Sequence, residues 1–245
     1  MSTVSQPPPQ AARAFRFYDL LLAGFVAALI CSNFIGPGKV AEFVLPLRGD
    51  AITFGAGNIF FPITYIFGDI LTEVYGFARA RRAIWAGFGA MLFATLMANV
   101  VIWLPASKTE PYNAVIQPAL ETVFGGSARI VGASMLAYWV GDFVNSYVMA
   151  KMKVRTAGRL LWMRTIGSTI VGQGFDSLIF YPLAFGGLWQ TDTLLAAMTV
   201  NWAFKVGVEV VMTPATYWVC ARLKKAEGVD HFDRGTNFTP FSLDT

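Results

Sequence analysis

Acidic side chains lie inside stretches of this sequence that are otherwise apolar. Asp69 and Glu73 are one helical turn apart in FGDILTEVY, Asp142 lies in VGDFVNSYV, and Asp176 lies in GQGFDSLIF. An ionised carboxylate at the centre of a bilayer costs about 2.5–3.5 kcal/mol on insertion scales, so such a residue needs a partner or a function. Carboxylates accept hydrogen bonds and attract cations and protons. These acids are therefore the first candidates for a binding site.

Amide side chains accompany two of the acids. Asn145 follows Asp142 by three residues, and Gln173 precedes Asp176 by three. Residues three or four apart share one face of a helix, so each amide points the same way as its acid. This mixture of acceptors and donors suits a ligand with several N–H groups or a positive charge, or alternatively protons and cations.

The last apolar stretch carries a polar stripe of its own. Asn201, Lys205 and Glu209 recur every four residues. In one interpretation Lys205 and Glu209 neutralise each other. In the other, Lys205 pairs with an Asp on a different helix, which lowers the cost of burying both groups. Both interpretations give the stripe a charge-pairing or gating role.

Aromatic side chains adjoin the acids. Trp139 and Phe143 flank Asp142, and Phe180 lies one turn after Asp176. A flat heteroaromatic ligand could stack on such rings while the carboxylates bind its polar edge. Alternatively, the rings face lipid or pack inside the protein. We include all three among the candidate binding residues.

Six membrane-spanning helices are predicted to position these residues. The chain has 245 residues, of which 55% are apolar and only 14% charged, a composition typical of membrane proteins. A helix needs about 20 residues to cross a hydrocarbon core of about 30 Å. The stretches of suitable length are Asp19–Gly36, Ala51–Tyr75, Ala83–Leu104, Ile130–Ala150, Thr165–Leu188 and Thr193–Ala221. The predicted fold class is all-α, a polytopic bundle.

Basic residues orient this bundle, because cytoplasmic loops retain Lys and Arg. With both termini in the cytoplasm, the basic clusters at 79–82, 151–164 and 222–234 all lie inside. The outer loops then hold only Lys39, Arg48 and Lys108. Topology and contact with anionic lipids account for the net charge of +4. Nucleic acid is therefore not an expected partner.

This orientation brings three acids to a similar depth. At about 1.5 Å per residue from the nearest inner basic residue, Asp69, Asp142 and Asp176 lie about 15, 13 and 18 Å deep. Three separate helices thus place an Asp near the middle of the membrane. We expect these side chains to converge.

The segments around the spans have simpler roles. The transmembrane domain is predicted to cover 15–225, between a disordered cytoplasmic tail at 1–14 and a polar, disordered cytoplasmic tail at 226–245. Asn113–Phe124 is expected to form a short amphipathic helix in the outer loop, with a plain loop as the alternative. Pro62 and nearby glycines predict a kink or break in the second span.

Small residues recur every four positions on two spans. They are Ala86, Ala90, Ala94 and Ala98 on one span, and Ala133, Ala137 and Gly141 on another. Such stripes allow a neighbouring helix to approach closely. We expect internal packing for both stripes, and a seam between two copies in a homodimer is the alternative.

Several chemistries are excluded. The only histidine is His231, in the tail, and there is no Cys/His cluster, so zinc and haem have no ligands. No Walker-type glycine loop is present. Cys31 and Cys220 fall near opposite ends of their spans, which rules out a disulfide. We therefore predict no cofactor, no metal and no catalytic residue.

Three longer motifs resemble one known family. They are PITYIFGDILTEVYGFARARRAIW (62–85), RIVGASMLAYWVGDFVNSYVMAKMK (129–153) and STIVGQGFDSLIFYPLAF (168–185). In this order across six spans they resemble the queuosine precursor transporter family, also called the VUT or YhhQ family. The similarity covers about residues 15–222.

The resemblance implies a multi-pass protein of the bacterial inner membrane that imports 7-deazaguanines. Expected substrates are 7-cyano-7-deazaguanine and 7-aminomethyl-7-deazaguanine, with queuine for some members. The guanine-like edge of N1–H and NH₂ suits a carboxylate, and the aminomethyl group adds a cation. We expect Asp142, Asp176, Gln173 and Asn145 to bind the base, while Asp69 and Glu73 bind or gate.

Two other classes remain as alternatives. One is a substrate-binding subunit of an energy-coupling-factor transporter, which binds ligand but moves it only with a separate ATPase. The other is an acid-catalysed intramembrane enzyme, although our expectation is that the protein is not an enzyme. Energy coupling and oligomeric state are not determined by the residues.

Overall fold

The computed structural model describes residues 15–35, 39–44, 51–55, 60–126 and 128–242. Its helices and strands are α1 Tyr18–Phe34, β1 Val40–Val44, β2 Ala51–Gly55, α2 Phe61–Tyr75, α3 Phe77–Trp103, α4 Asn113–Phe124, α5 Ala128–Arg155, α6 Leu161–Phe185 and α7 Thr191–Glu227. The predicted tail at 1–14 lies outside the described residues. By length and composition, α3 and α7 are long and apolar enough to cross a membrane.

The helical prediction is right for most of the chain and needs one correction. Ala51–Gly55 was assigned to the second span, but it forms strand β2, which pairs antiparallel with β1. Helix α2 begins only at Phe61, with Pro62 in its first turn. Proline lacks a backbone N–H and suits a helix start, so the break predicted near Pro62 is the start of α2. The short helix Asn113–Phe124 is confirmed.

Helices α5 and α6 pack closely where both carry glycine. A Cβ added at Gly141 would lie 3.0 Å from Asp176 Cβ, and one at Gly172 would lie 2.7 Å from Asn145 Cβ. Ala133 and Ala137 are buried as well, which confirms internal packing for this stripe. The crossing point therefore brings the polar residues of both helices together.

The alanine stripe of α3 does not behave as expected. Ala86 is exposed and the other three alanines of the stripe are half-buried, whereas the buried small residues of α3 are Ala80, Ala83 and Gly87. A Cβ at Gly87 would approach Leu29 of α1 within 2.8 Å. The inward face of α3 is thus one position away from the predicted stripe. A seam between two copies remains an alternative for the outward face.

Residues 229–242, which we call the C-terminal strap, return along the bundle. Asp233 accepts hydrogen bonds from the backbone N–H of Phe77, at the start of α3. Arg81 donates to the carbonyl oxygens of Asn237 and Thr239, at 2.8 Å each. These contacts contradict the expectation of a disordered tail. The strap forms because buried donors at one end of α3 need acceptors.

A glycine lets the strap pass between two helices. Gly76 joins α2 to α3 with a φ of +85°, in the region that disfavours other residues. A Cβ at this position would lie 2.2 Å from the ring of His231 in the strap. The turn and the strap therefore both require glycine here.

Two carboxylates of the C-terminal strap, Asp230 and Asp233, are stabilised in their charged form by the residues that they contact. Burial raises the pKa of Asp230, but hydrogen bonds from Lys153 and Lys224 outweigh this effect and lower it. Burial likewise raises the pKa of Asp233, and contacts with His231 and Phe77 outweigh it. Because the pKa of each carboxyl group is lowered, docking of the strap is stabilised at pH values above 3.8, the ordinary pKa of Asp. This stability is lost only as the pH falls through the lower, docked value.

Replacing Gly172 by Ala should loosen the α5–α6 contact. The added methyl group meets Asn145 Cβ and the Gly141 carbonyl oxygen, at 2.7 and 2.9 Å. Overpacking costs about 1–3 kcal/mol, which exceeds the helix-propensity gain of about 1 kcal/mol. We expect a lower Tm in detergent. Gly174→Ala is the matched control, because its nearest atom is 3.8 Å away; equal Tm values would contradict the packing argument.

Replacing Arg81 by Met should release the C-terminal strap. Each hydrogen bond from a charged donor contributes about 1.5–3 kcal/mol, so trypsin should cut after Arg234 at least about tenfold faster. The fragment from residue 235 onward is followed by mass spectrometry. Arg82→Met is the control, because Arg82 is the exposed neighbour. Equal rates for the two variants at pH 7 would show that the strap does not depend on Arg81.

Candidate functional site

Three helices contribute to a charged cluster, which we call the Lys205 cluster. Lys205 Nζ of α7 lies 2.6 Å from Asp176 Oδ2 and 3.0 Å from Gln173 Oε1, both on α6. The Tyr65 hydroxyl of α2 donates to the same Gln173 oxygen, at 3.0 Å. Lys205 therefore pairs with an Asp of another helix and not with Glu209, which was the second of the two interpretations of the sequence. Glu209, one turn away on α7, makes no ion pair within the described ranges.

A small cavity adjoins the Lys205 cluster. Its polar lining consists of Thr64, Tyr65, Asp142, Asn145 and Ser146, and its apolar lining comes from α1, α2 and α3. Asp142 lies within electrostatic range of Asp176 and Lys205. The cavity of about 10 Å³ holds about one water. A two-ring ligand enters only if the helices around it separate.

The structure brings together four predicted site residues here. Asp142 and Asn145 line the cavity, while Asp176 and Gln173 belong to the Lys205 cluster beside it. Tyr65 belongs to both groups and was missed as a candidate. Its sequence signal was its position four residues before Asp69, on the same helix face.

Asp69 lies behind the cavity and contacts it through one residue. Asn145 Nδ2 donates to Asp69 Oδ1 at 2.9 Å, and Asp69 is fully buried. Among the acids that act on Asp69 electrostatically, Glu209 of α7 has the largest effect, and it is also buried. Asn201, about two helical turns before Glu209 on α7, is half-buried.

Glu73 sits in a group of basic side chains, which we call the Glu73 cage. Arg164 Nη2 and Lys224 Nζ lie 2.8 and 2.6 Å from Glu73 Oε1, and Lys153 Nζ lies 3.4 Å from the same atom. These cations come from α6, α7 and α5. Asp230 of the C-terminal strap binds both lysines. Glu73 therefore joins four helices and does not line the cavity.

The buried cations of the Glu73 cage were not identified from the sequence. Lys153, Arg164 and Lys224 were interpreted only as residues that orient the chain in the membrane. Lys153 and Arg164 are almost fully buried. No pattern within one span shows which distant acid a basic residue at the span end contacts.

The predicted aromatic residues do not line the cavity. Trp139 and Phe143 lie 5.0 Å apart between ring centroids and pack edge-on, next to Trp85. Phe241 of the C-terminal strap completes this group, 5.8 Å from Trp139. Phe180 packs against Tyr181 and Phe185 instead. The alternative of internal packing therefore describes these rings in this conformation.

Two helices, α3 and α7, are long and apolar enough for a bilayer, and ion pairs are buried between the helices of the bundle. These features indicate a class of protein. Intramembrane charges of this kind are typical of substrate and ion pathways, which favours the class of helical membrane transporters.

The comparisons identify the family. The family model described as "Putative vitamin uptake transporter" matches residues 55–219. The chain belongs to this family, which includes the proteins named queuosine precursor transporters.

Two named relatives cover most of the chain. A Bacillus subtilis (strain 168) protein named "Probable queuosine precursor transporter" is 34% identical over 192 residues, covering 78% of this chain and 79% of that protein. The Escherichia coli (strain K12) "Queuosine precursor transporter" is 26% identical over 187 residues, covering 74% of this chain and 77% of that protein. No solved structure matches the chain.

Replacing Glu73 by Gln should destabilise the protein. Removing one partner of a buried ion pair costs about 3–5 kcal/mol. Here Arg164 loses its carboxylate partner, and Lys153 and Lys224 keep only Asp230. We expect a large fall in Tm in detergent. The control is Glu121→Gln on α4, where the side chain is exposed. A Glu73→Gln variant with normal Tm but weakened ligand binding would instead show that Glu73 is a binding residue.

Proposed function

We propose that this protein imports queuosine precursors of the 7-deazaguanine class across the bacterial inner membrane. The names of its relatives point to this cargo. The observation that carries the proposal is Asp142, which lines a cavity between α1, α2, α3 and α5. No ion pair or hydrogen bond to its carboxylate is found in the part of the chain that is described, so its oxygens are free to bind a ligand.

The chemistry of the cavity matches a guanine-like edge. The N1–H and exocyclic NH₂ groups of a deazaguanine form two parallel donors, which one carboxylate accepts together. Asp142 is the proposed acceptor. Asn145, one turn away, offers both an amide donor and an acceptor for the remaining ring atoms. The aminomethyl form adds a positive charge that Asp142 and Asp176 stabilise.

The Lys205 cluster is proposed as the element that changes when the ligand binds. Asp176 and Gln173 are occupied by Lys205 in this conformation. A ligand that takes these acceptors must displace Lys205, which loosens the contact between α6 and α7. Alternating access then follows from separating these helices, while the Glu73 cage holds the other end of the bundle together. Only differential contacts in two states can drive such a change.

The proposed topology has six spans with both termini in the cytoplasm. In this arrangement α1, α2, α3, α5, α6 and α7 cross the membrane, and α4 lies on the outer surface. The C-terminal strap and the Glu73 cage then lie at the cytoplasmic end. We propose that the protein works alone and has no catalytic activity. A substrate-binding subunit that depends on a separate ATPase is the alternative.

Uptake of labelled 7-cyano-7-deazaguanine by cells that cannot synthesise it tests the proposal. Cells expressing the wild type should accumulate label. Asp142→Asn and Asp176→Asn should each lower uptake by about tenfold or more, because each charged hydrogen bond contributes about 1.5–3 kcal/mol. Asp192→Asn is the matched control, since Asp192 is exposed in the first turn of α7. Immunoblots confirm equal amounts of protein in the membrane.

The outcomes separate the candidates. Normal uptake in both Asp142→Asn and Asp176→Asn would sink the site assignment. Tight binding by purified protein without transport in reconstituted liposomes would favour the subunit that requires an ATPase. A wild type that neither binds nor transports the compound would remove 7-cyano-7-deazaguanine as a substrate.

A further inference from the structure

The carboxyl group of Asp69 on α2 contacts the cavity wall through one residue of α5. Asn145 Nδ2 donates a hydrogen bond to Asp69 Oδ1 at 2.9 Å. Asp69 is fully buried, and its Oδ2 has no hydrogen-bond partner among the described residues. Asn145 lines the cavity together with Asp142. The contact between Asp69 and Asn145 therefore joins a buried acid to a proposed substrate-binding residue.

The side chain of Asn145 is confined between two neighbouring helices. On the α6 side lies Gly172, where an added Cβ would be 2.7 Å from Asn145 Cβ. On the α2 side, the next residue of α5 makes a second contact, because the hydroxyl oxygens of Ser146 and Thr72 lie 3.1 Å apart. Thr72 is three residues after Asp69, so both contacts join the same faces of α2 and α5. Asn145 is thus held in place opposite Asp69.

Asp69 determines which end of the Asn145 amide faces α2. The two ends of an asparagine amide differ little in size, and their hydrogen-bond partners decide how they are placed. Asp69 Oδ1 accepts, so it takes the NH₂ end. The other end, Asn145 Oδ1, is buried and has no hydrogen-bond partner in the described part of the chain. A buried acceptor without a donor is costly, so this oxygen is the atom of Asn145 that a ligand donor would satisfy.

A 7-deazaguanine carries a donor that suits this oxygen. Asp142 is proposed to accept N1–H and the amino group, which lie on one edge of the base. Asn145 is one helical turn from Asp142, with Cβ atoms about 5–6 Å apart, so it faces a neighbouring edge of the same base. In 7-cyano-7-deazaguanine one neighbouring edge presents O6 and the cyano group, which have no N–H. The other edge presents N9–H, the donor that still needs an acceptor.

We propose that Asp69 is a positioning residue, which fixes the Asn145 amide so that its carbonyl oxygen accepts N9–H of the substrate. This inference rests on the proposed function. The acceptor requires a hydrogen on N9, which a free base has. A nucleoside carries its sugar on this nitrogen and would leave Asn145 Oδ1 without a donor. Asp69 thus contributes to the choice between bases and nucleosides without touching the substrate.

Competition binding to purified protein tests the proposed acceptor. Labelled 7-cyano-7-deazaguanine is displaced either by the unlabelled compound or by its furo[2,3-d]pyrimidine analogue, in which a ring oxygen replaces N9–H at nearly the same size. The wild type should bind the analogue at least about tenfold more weakly, because the ring oxygen places an acceptor against Asn145 Oδ1. Binding of the parent compound reports the proposed function separately.

An exchange of the two side chains tests the role of Asp69. In Asp69→Asn the new amide donates or accepts equally well, so Asn145 is no longer held in one orientation and the preference for the parent compound should fall to about threefold or less. Combining Asp69→Asn with Asn145→Asp should restore a preference of about tenfold, because the carboxylate at position 145 offers only acceptors. The matched control is Asp192→Asn, exposed on α7, which should keep the wild-type preference.

The possible results overturn different claims. Equal binding of the two compounds by the wild type would show that Asn145 does not accept N9–H, and it would leave the import of 7-deazaguanines intact. An unchanged preference in Asp69→Asn would show that Asp69 does not position the amide, even if the variant had a lower Tm. A wild type that does not bind the parent compound would remove the proposed function itself. For a variant that unfolds in detergent, the same competition is measured on uptake by cells.

Discussion

The carboxylate of Glu73 is the point at which the helices of this bundle are held together. One buried oxygen accepts hydrogen bonds from Arg164 and Lys224, and Lys153 lies close by. Because these cations come from three helices, α5, α6 and α7 are positioned relative to α2 by a single acid. Lys153 and Lys224 also bind Asp230, which attaches the C-terminal strap. Separating these helices here would leave buried charges unpaired, which is costly.

The acidic residues of α2 differ in how their charge is compensated, and the proposed roles of the surrounding regions differ accordingly. Glu73 has excess positive charge around it, whereas Asp69, one turn earlier, has another acid and an amide. Tyr65, one further turn away, contacts Gln173 of the Lys205 cluster. The Glu73 cage, a buried acid that contacts an amide, and the Lys205 cluster thus follow one another along a single helix face. Motion at the last two requires fewer ion pairs to break.

Much of this arrangement could be predicted from single segments. The apolar lengths indicated the helices, and the three- and four-residue spacings placed Asn145 with Asp142 and Gln173 with Asp176. The partner of Lys205 remained open between Glu209 and an Asp of another helix. The aromatic candidates Trp139 and Phe143 could not be distinguished from packing residues, because the ring partners that occupy them are far away in sequence.

The sequence by itself indicated that the chain lies in lipid, which family it resembles, and which polar residues lie within its apolar segments. Local composition and periodicity are sufficient for these because insertion into lipid acts on each segment separately. Only the tertiary structure decided how the charges are paired, that the tail is a strap, and that residues 51–55 form a strand. Pairing depends on which helix faces meet, and the close approach of α5 and α6 at Gly141 and Gly172 sets those faces.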